Sequence, residues 1–526
     1  MNLPSFKQAG VCLHLTSLPG NYGIGQLGAG ARAFIDALVA MNLSVWQFLP
    51  TGPTAFGDSP YQPLSTFAGN ELLIDVEDLV DKGLVSSQAA AQLADLPAAS
   101  VDYGRLIPLK QKLLAEAAVN FERSADASTV AQFERFLADH DQVWLHDYAL
   151  FRTLKDYHNQ LSWVEWGPEF VRRDRGALAD FEHRHEKYIL RTKVLQFLFD
   201  RQWAAMRRYA GERGVTLFGD MPIYIAFDSA DAWAHPELLL TNSLGKPDYV
   251  AGVPPDYFSA DGQLWGNPLY DWDYHASHDF AWWVARLRHA HRYTDLVRID
   301  HFRAFESYWA IPAGATTAKD GEWRSGPGDA IFTAVRAALG ELPIVAEDLG
   351  IITPEVDLLR ERQRIPGMRV LQFDIVAPEF DLASIEENSV CYTGTHDNDT
   401  VVGWFGGSPG DQRTAAEIAA QQKLILERTH GQPQSIHNDL IRLTFSSDAR
   451  LAVAPMQDFL GLGSAARLNT PGTSANNWRW RLQAGQLDLD RIDSVAEMVL
   501  DAGRGRAAGA HANDFSPVLS PADPDS

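Results

Sequence analysis

The feature that most constrains this chain is a count and a rhythm. Eight short apolar segments read as β-strands, at about residues 11, 45, 216, 297, 344, 369, 390 and 451, with segments of helical pattern between them. Strands that alternate with helices belong to a parallel sheet, and eight of them predict a closed (β/α)8 TIM barrel of the α/β class. The first strand (11–15) is followed by a helix with Phe34, Ile35 and Leu38 at helical spacing, and the second (45–49) ends at Pro50. Later in the chain, a helix around 330–339 is one that Gly340 can end. Thr353-Pro354-Glu355 is an N-cap with proline at the first helical position, and a further helix covers about 411–428.

Two stretches break the rhythm. Residues 75–210 are helical in pattern, with Thr129 and Gln132 as a capping box and an apolar stripe of Leu195, Leu198, Phe199, Trp203 and Met206. They read as a helical insertion subdomain whose aromatics form core. Residues 225–282 read as a loop-rich insertion lining a substrate groove, and include Gly252-Val253-Pro254-Pro255-Asp256-Tyr257-Phe258-Ser259 and Gln263-Leu264-Trp265-Gly266-Asn267-Pro268. Rigid aromatic loops can stack on the C–H faces of sugar rings; they can equally be proline-braced loops packing their own rings. The expected organisation is a catalytic barrel over 1–503 carrying both insertions, then a disordered tail over 504–526 rich in Ala, Gly, Pro and Asp.

A net charge of −23 argues against a nucleic-acid surface or an anionic membrane face, and fits a neutral substrate better than a phosphorylated one. No window is long and apolar enough to span a membrane, and the N-terminal residues lack a signal-peptide pattern. Cys12 and Cys391 match no metal or redox spacing and read as buried thiols, so a cytoplasmic protein is expected. Gly23-Ile24-Gly25-Gln26-Leu27-Gly28 is formally G-x-G-x-x-G. It lies several residues past its strand, however, and the next strand does not end in an acid, so no dinucleotide cofactor is expected. His183/His185 and His289/His291 are two apart on helices and face away from each other; no metal is expected.

Catalytic groups of such barrels sit at the C-terminal ends of the strands. In Leu296-Val297-Arg298-Ile299-Asp300-His301-Phe302-Arg303 the alternation of a strand puts Arg298 and Asp300 on one side. The guanidinium would lower the Asp300 pKa and keep it ionised, as suits a nucleophile or a charge stabiliser. Glu347 follows the apolar run Ile344-Val345-Ala346, which would raise its pKa by desolvation, as suits a general acid. Asp397 follows the seventh strand, and His301 and His396 flank the acids. Each acid alone could cap a helix, and the Arg298–Asp300 pair could be a structural ion pair. Three acids on one face are what glycosidic chemistry needs, with the nucleophile and the acid roughly 5–5.5 Å apart in a retaining enzyme.

The residues also resemble a known family, the 4-α-glucanotransferases (amylomaltases, or disproportionating enzymes) of glycoside hydrolase family 77. The likeness is carried by His14-Leu15-Thr16-Ser17-Leu18-Pro19-Gly20, Gly57-Asp58-Ser59-Pro60-Tyr61-Gln62, Gly219-Asp220-Met221-Pro222-Ile223-Tyr224 and the residues from Gly252 to Tyr257. It continues in Trp265-Gly266-Asn267-Pro268-Leu269-Tyr270, Arg298 to Arg303, Ala346-Glu347-Asp348-Leu349-Gly350, Thr393 to Thr400, Gln457-Asp458 and Asn477-Trp478-Arg479-Trp480. The resemblance implies a retaining double displacement with Asp300 as nucleophile, Glu347 as general acid/base and Asp397 as transition-state stabiliser. It also implies that Tyr61 stacks on the sugar at the cleavage point, that Asp220, Arg298, His301 and His396 hydrogen-bond it, and that Trp265 covers the acceptor side. Substrates would be maltooligosaccharides, maltose, glucose and starch- or glycogen-derived glucans, with no cofactor. A hydrolase with the same acids and a catalytically silent glucan-binding protein remain alternatives. Two departures stand out. Leu15 replaces a proline common after the His, and Asp374-Ile375-Val376-Ala377-Pro378-Glu379-Phe380-Asp381 replaces the loop pattern Asn-Pro-Tyr-Leu-Pro-His.

Overall fold

The computed structural model describes residues 3, 4, 6–242, 245–255, 261–341, 343–408, 411, 413–473 and 475–505. Asp256, Tyr257, Phe258 and Ser259 of the aromatic loop, and 506–526 of the expected tail, lie outside the described residues. The strands in chain order are β1 (Gln8–Cys12), β2 (Val45–Gln47), β3 (Thr216–Pro222), β4 (Tyr249–Val253), β5 (Gln263–Pro268) and β6 (Leu296–Asp300). They continue with β7 (Ser307–Pro312), β8 (Glu322–Ser325), β9 (Ile344–Ala346), β10 (Gly367–Val370), β11 (Ser389–Tyr392) and β12 (Leu451–Pro455).

Eight of them form one parallel sheet in the order β10-β11-β12-β1-β2-β3-β6-β9, and these are the eight segments read from the sequence. Helices fill the connections, and the fold is a (β/α)8 barrel. The two ends of the sheet meet at β9 and β10 through the Ala346 N–H on Pro366 O (2.8 Å). Beside that bond the Met368 N–H donates to Asp348 Oδ1 (2.7 Å), so a carboxylate takes the place of the next ladder bond. Gly367 permits this: a Cβ there would lie 2.3 Å from the Asp348 carboxylate.

Several strands leave the ladder earlier than their apolar runs predict. β1 stops at Cys12, with a 3-10 turn over Leu15–Ser17, and β10 stops at Val370 before a helical turn over Leu371–Asp374. Leu15 is fully buried. The helices at Asp329–Leu339 and Pro354–Gln363 end at Gly340 and begin at Thr353-Pro354 as expected; the one expected from 411 starts at Ala415, behind a Thr414–Glu417 capping box.

Between β2 and β3 run helices from Val76–Asp81 to the long Arg175–Glu212. The Thr129/Gln132 capping box is overturned: Asp126 accepts the Thr129 N–H (2.9 Å) and starts the helix Ala127–His140, leaving Thr129 inside its first turn. The long helix is tied to the barrel by side chains. Gln196 and Gln202 accept the N–H groups of Gly69 and Asp75 (2.8 and 2.7 Å), and Trp203 packs edge-on against Phe48 and donates to Tyr293 O (2.9 Å). Phe121 and Phe197 of these helices share one apolar core with Phe34 and Trp46 of the barrel.

The stretch 225–282, read as loop, contains β4 and β5. With β7 and β8, which the sequence reading did not find, they form a four-stranded antiparallel sheet in the order β5-β4-β7-β8. The expected tail also begins too early. Arg504 is fully buried and donates to Gln8 O (3.0 Å), Phe445 O and Ser447 O (2.7 Å), pinning the base of the barrel.

Candidate active site

β3 and β6 are adjacent, and their register sets Asp220 directly opposite Arg298. The buried Arg298 guanidinium holds Asp220 Oδ2 at 2.7 Å, Asp300 Oδ1 at 2.8 Å and the Tyr61 hydroxyl at 3.2 Å. Tyr61, from the loop after β2, donates its own O–H to Asp220 Oδ2 (2.8 Å). One cation therefore serves two carboxylates and a phenol. Burial alone would lower the Arg298 pKa, but Asp220, Tyr61 and Asp300 hold it well above its usual value.

This sharing overturns the expectation for Asp300. With 32% of its side chain exposed, it still sits deep enough that burial pushes its pKa well above the carboxylate range. Arg298 pulls the other way, while Asp220, Glu347 and Asp397 add to the upward push. A single guanidinium divided between two carboxylates does not offset burial among four.

Glu347 leaves β9 and has each oxygen on a backbone donor, Oε2 on the His301 N–H (2.7 Å) and Oε1 on the Leu349 N–H (2.9 Å). His301 takes a left-handed backbone conformation (φ 57°), which turns the chain sharply at the exit of β6 and presents its N–H to the acid. Burial raises the Glu347 pKa, as expected from its apolar strand, although Arg298 and these two N–H groups oppose it.

The histidines are held neutral. Burial, with Arg303 adding to it, takes His301 down to about 3; its Nε2 is buried without a protein partner, and the Trp265 ring meets it edge-on at 4.7 Å. His396, also lowered by burial, stacks on Tyr61 with centroids 5.2 Å apart, and its Nε2 lies 3.3 Å from Asp397 Oδ1. Asp397 is the more open acid, 45% exposed; Asn469 Nδ2 donates to its Oδ1 (2.6 Å) and Arg467 to its carbonyl (2.6 Å).

A continuous series of contacts thus joins Asp300, Glu347, Asp397, Tyr61, Asp220, Arg298, His301, His396 and Trp265. Three neighbours had no assigned role in the sequence reading. Trp478 lies 6.0 Å from both Tyr61 and His396, and although it stands in a motif that carried the resemblance, nothing in that motif says what it touches. Arg467 and Asn469 carry no pattern at all. The atypical loop after Phe373 is clamped from behind by Arg428, which donates to the carbonyls of Ile375, Ala377 (2.7 Å) and Pro378. Gly23 to Gly28 packs against its own chain: a Cβ on Gly28 would lie 2.2 Å from the Asp75 carboxyl, so a carboxylate already occupies the helix start where a phosphate would sit. Among the described residues no three His, Cys, Asp or Glu could hold a metal ion. A cavity of ≈ 540 Å³ beside Tyr22, Glu77 and Ser87 is not lined by Asp300, Glu347 or Asp397.

The cleft combines buried carboxylates in unlike settings, neutral imidazoles and aromatic rings. Such groups accept and donate hydrogen bonds to hydroxyls while offering apolar faces, and together with the barrel they define a protein of the kind that acts on glycosidic bonds. The comparisons narrow this class. The 4-alpha-glucanotransferase model of glycoside hydrolase family 77 matches residues 13–488. A 4-alpha-glucanotransferase of Synechocystis is 46% identical over 91% of this chain and 94% of its own, and one of Thermus thermophilus is 43% identical over 94% and 99%. The solved structure of the amylomaltase from Streptococcus agalactiae in complex with acarbose superposes with a TM-score of 0.90 at 34% identity, covering 95% of this chain and all of that one. The chain belongs to glycoside hydrolase family 77 and is an enzyme of the 4-alpha-glucanotransferase class.

Proposed function

We propose that the protein cleaves an α-1,4 bond in a maltooligosaccharide or a starch- or glycogen-derived glucan and passes the glucanyl group to the 4-hydroxyl of another glucan or of glucose, with retention. In the first step an Asp300 carboxylate oxygen attacks the anomeric carbon. The bond to the leaving glycosidic oxygen breaks, and Glu347 gives that oxygen its proton. In the second, Glu347 takes the proton of the incoming hydroxyl, whose oxygen displaces Asp300. Asp397 faces the positive charge that develops on the ring. Tyr61 and Trp265 contribute stacking, and Asp220, His301 and His396 bind hydroxyls. These steps use only the chain's carboxylates and the substrate, with no cofactor.

The observation that carries this reading is the placement of Arg298. It bonds Asp300 Oδ1 directly at 2.8 Å and pulls that carboxyl toward its ionised, nucleophilic form against the burial that raises it. The family membership and the acarbose bound to the Streptococcus agalactiae relative support glucan as substrate. A cytoplasmic location is part of the proposal; it is supported by two buried free thiols, and no helix of the described residues is long and apolar enough to cross a membrane.

The test is to incubate maltotriose with the enzyme and follow free glucose together with total reducing ends. Glucose and longer oligomers at constant reducing ends support transfer. A steady rise in reducing ends would make the protein a hydrolase, and no change in either, with the protein folded, would favour glucan binding or a different donor.

A further inference from the structure

The four-stranded antiparallel sheet has two unlike faces. Residues directly opposite each other in neighbouring antiparallel strands share a face. One row runs Leu264 (β5), Gly252 (β4), Trp309 (β7) and Trp323 (β8). Trp265, next to Leu264, belongs to the other face and meets His301. The Leu264 row is left partly open: Leu264 is 41% exposed and Trp323 is 42% exposed. β8 is an edge strand whose other residues are Glu322, Arg324 and Ser325, with Glu322 and Arg324 paired to each other at 2.6 Å. A half-exposed tryptophan is a poor choice for so polar an edge on stability grounds alone.

Its surroundings tie it to the catalytic residues. The Arg303 guanidinium lies 4.0 Å from the centre of the Trp323 ring, and Trp309 abuts that ring edge-on at 5.1 Å, so the indole is held in place. Arg303 also donates to the carbonyl of Ile351 and to Ser307 Oγ (3.2 Å). It stands two residues after His301, whose N–H binds Glu347, and Ile351, itself 44% exposed, stands four residues after Glu347. Trp323 and the Ile351 backbone are therefore both joined through one buried arginine to the segments that carry the acid. Apolar and hydroxyl-bearing surfaces alternate along this face, where Ser325 stands opposite Ser307 beside the ring, while Glu322 and Arg324 turn to the other face. That alternation suits a ligand with C–H faces and hydroxyl edges better than a continuous apolar protein surface.

We propose that Trp323, backed by Arg303, is a stacking platform for glucan units beyond the cleavage point on the acid side, and so selects for long acceptors. This rests on the transferase reading above. The platform touches only remote sugars. Its loss should raise KM for a long acceptor and leave transfer to glucose unchanged.

The experiment uses a fixed donor and compares glucose, maltotriose and maltoheptaose as acceptors in the full-length enzyme and in Trp323→Ala and Trp323→Tyr. A stacking contribution on the scale of an aromatic pair corresponds to roughly three- to tenfold. Trp323→Ala should raise KM for maltoheptaose by about that factor, with kcat and the glucose reaction unchanged, and Trp323→Tyr should restore most of it. Equal KM across the acceptor series would overturn the proposal, as would a dimer of the wild-type enzyme that Trp323→Ala dissociates, since a second copy would then be the occupant. A wild-type enzyme that transfers to none of the acceptors would instead sink the transferase reading. Should Trp323→Ala fail to fold, a crystal of Asp300→Asn with maltoheptaose decides the matter: a glucosyl ring against Trp323 supports the platform, and a glucan that leaves the cleft elsewhere refutes it.

Discussion

Arg298→Met is the perturbation that reads the electrostatics of the cleft most directly. The side chain keeps its bulk, but Asp220, Asp300 and the Tyr61 hydroxyl lose the cation they share at 2.7, 2.8 and 3.2 Å. Breaking a buried ion pair from one side costs about 3–5 kcal/mol, because the remaining charge stays buried. At about 2.1 cal/mol/K of unfolding entropy per residue, a chain of 526 residues loses about 1 °C of Tm per kcal/mol, so the expected drop near neutral pH is about 3–5 °C. The sign of its pH dependence follows from the shifts. Asp300 and Glu347 are already raised in the folded state by burial, and Arg298 is what pulls both back down. In the variant they rise further, so the folded protein keeps protons that the unfolded chain has released above its ordinary carboxylate pKa of about 4. The deficit should shrink as pH falls toward 5 and widen as it rises toward 8. The assay is thermal unfolding of both proteins at unit steps from pH 5 to 8. A gap that stays constant over that range, or closes as pH rises, would show that Arg298 acts by packing and not by charge. Transfer from maltotriose should fall by about 10³-fold in the same variant, on the scale of losing a preorganised charge partner.

Three further outcomes are expected. Asp300→Asn or Glu347→Gln should fold with an unchanged circular dichroism spectrum and lose at least about 10²–10⁴-fold in transfer; near-normal activity in either would reassign the roles. Asn469→Ala releases Asp397 Oδ1 from its 2.6 Å donor and should lower kcat for maltotriose by about tenfold with little change in KM, the mark of an interaction stronger in the transition state. Arg504→Met leaves the carbonyls of Gln8, Phe445 and Ser447 without their donor and should destabilise the protein by about 2–4 kcal/mol without changing kcat, as urea unfolding and a maltotriose assay would show.

The barrel was legible in the sequence because each of its strands is an apolar run bounded by turn residues, and the eight segments are the eight strands of the sheet. What sequence reading missed has physical causes. Strand ends were drawn too long wherever apolar residues continue past the last ladder bond, as at Leu15 and Leu371, since hydrophobicity does not report which partner a backbone has. β4, β5, β7 and β8 were hidden by the glycines and prolines around them and by faces that are only half buried. Alternation along β6 placed Arg298 and Asp300 on one side correctly. The direction of the Asp300 shift is nevertheless set first by burial, and Asp220, which shares Arg298 from 78 residues away in β3, adds to it; no local pattern reveals either. Arg467, Asn469 and Arg504 act through folded-chain proximity alone.

The strand order also sets a schedule for synthesis. β1 pairs with β12, Cys12 against Pro455, and β2 with β3, Gln47 against Phe218. The first strand finds β2 early but emerges from the ribosome long before β12, its other neighbour, exists, and the clamp of Arg504 on Gln8 completes later still. Until then the nascent protein carries unpaired parallel edges, the high-contact-order, aggregation-exposed state that slows folding. The helices from 76 to 212 are synthesised in that interval and share the core of β2 and its neighbours, so they can cover the apolar faces of the first two strands while the barrel waits for its last.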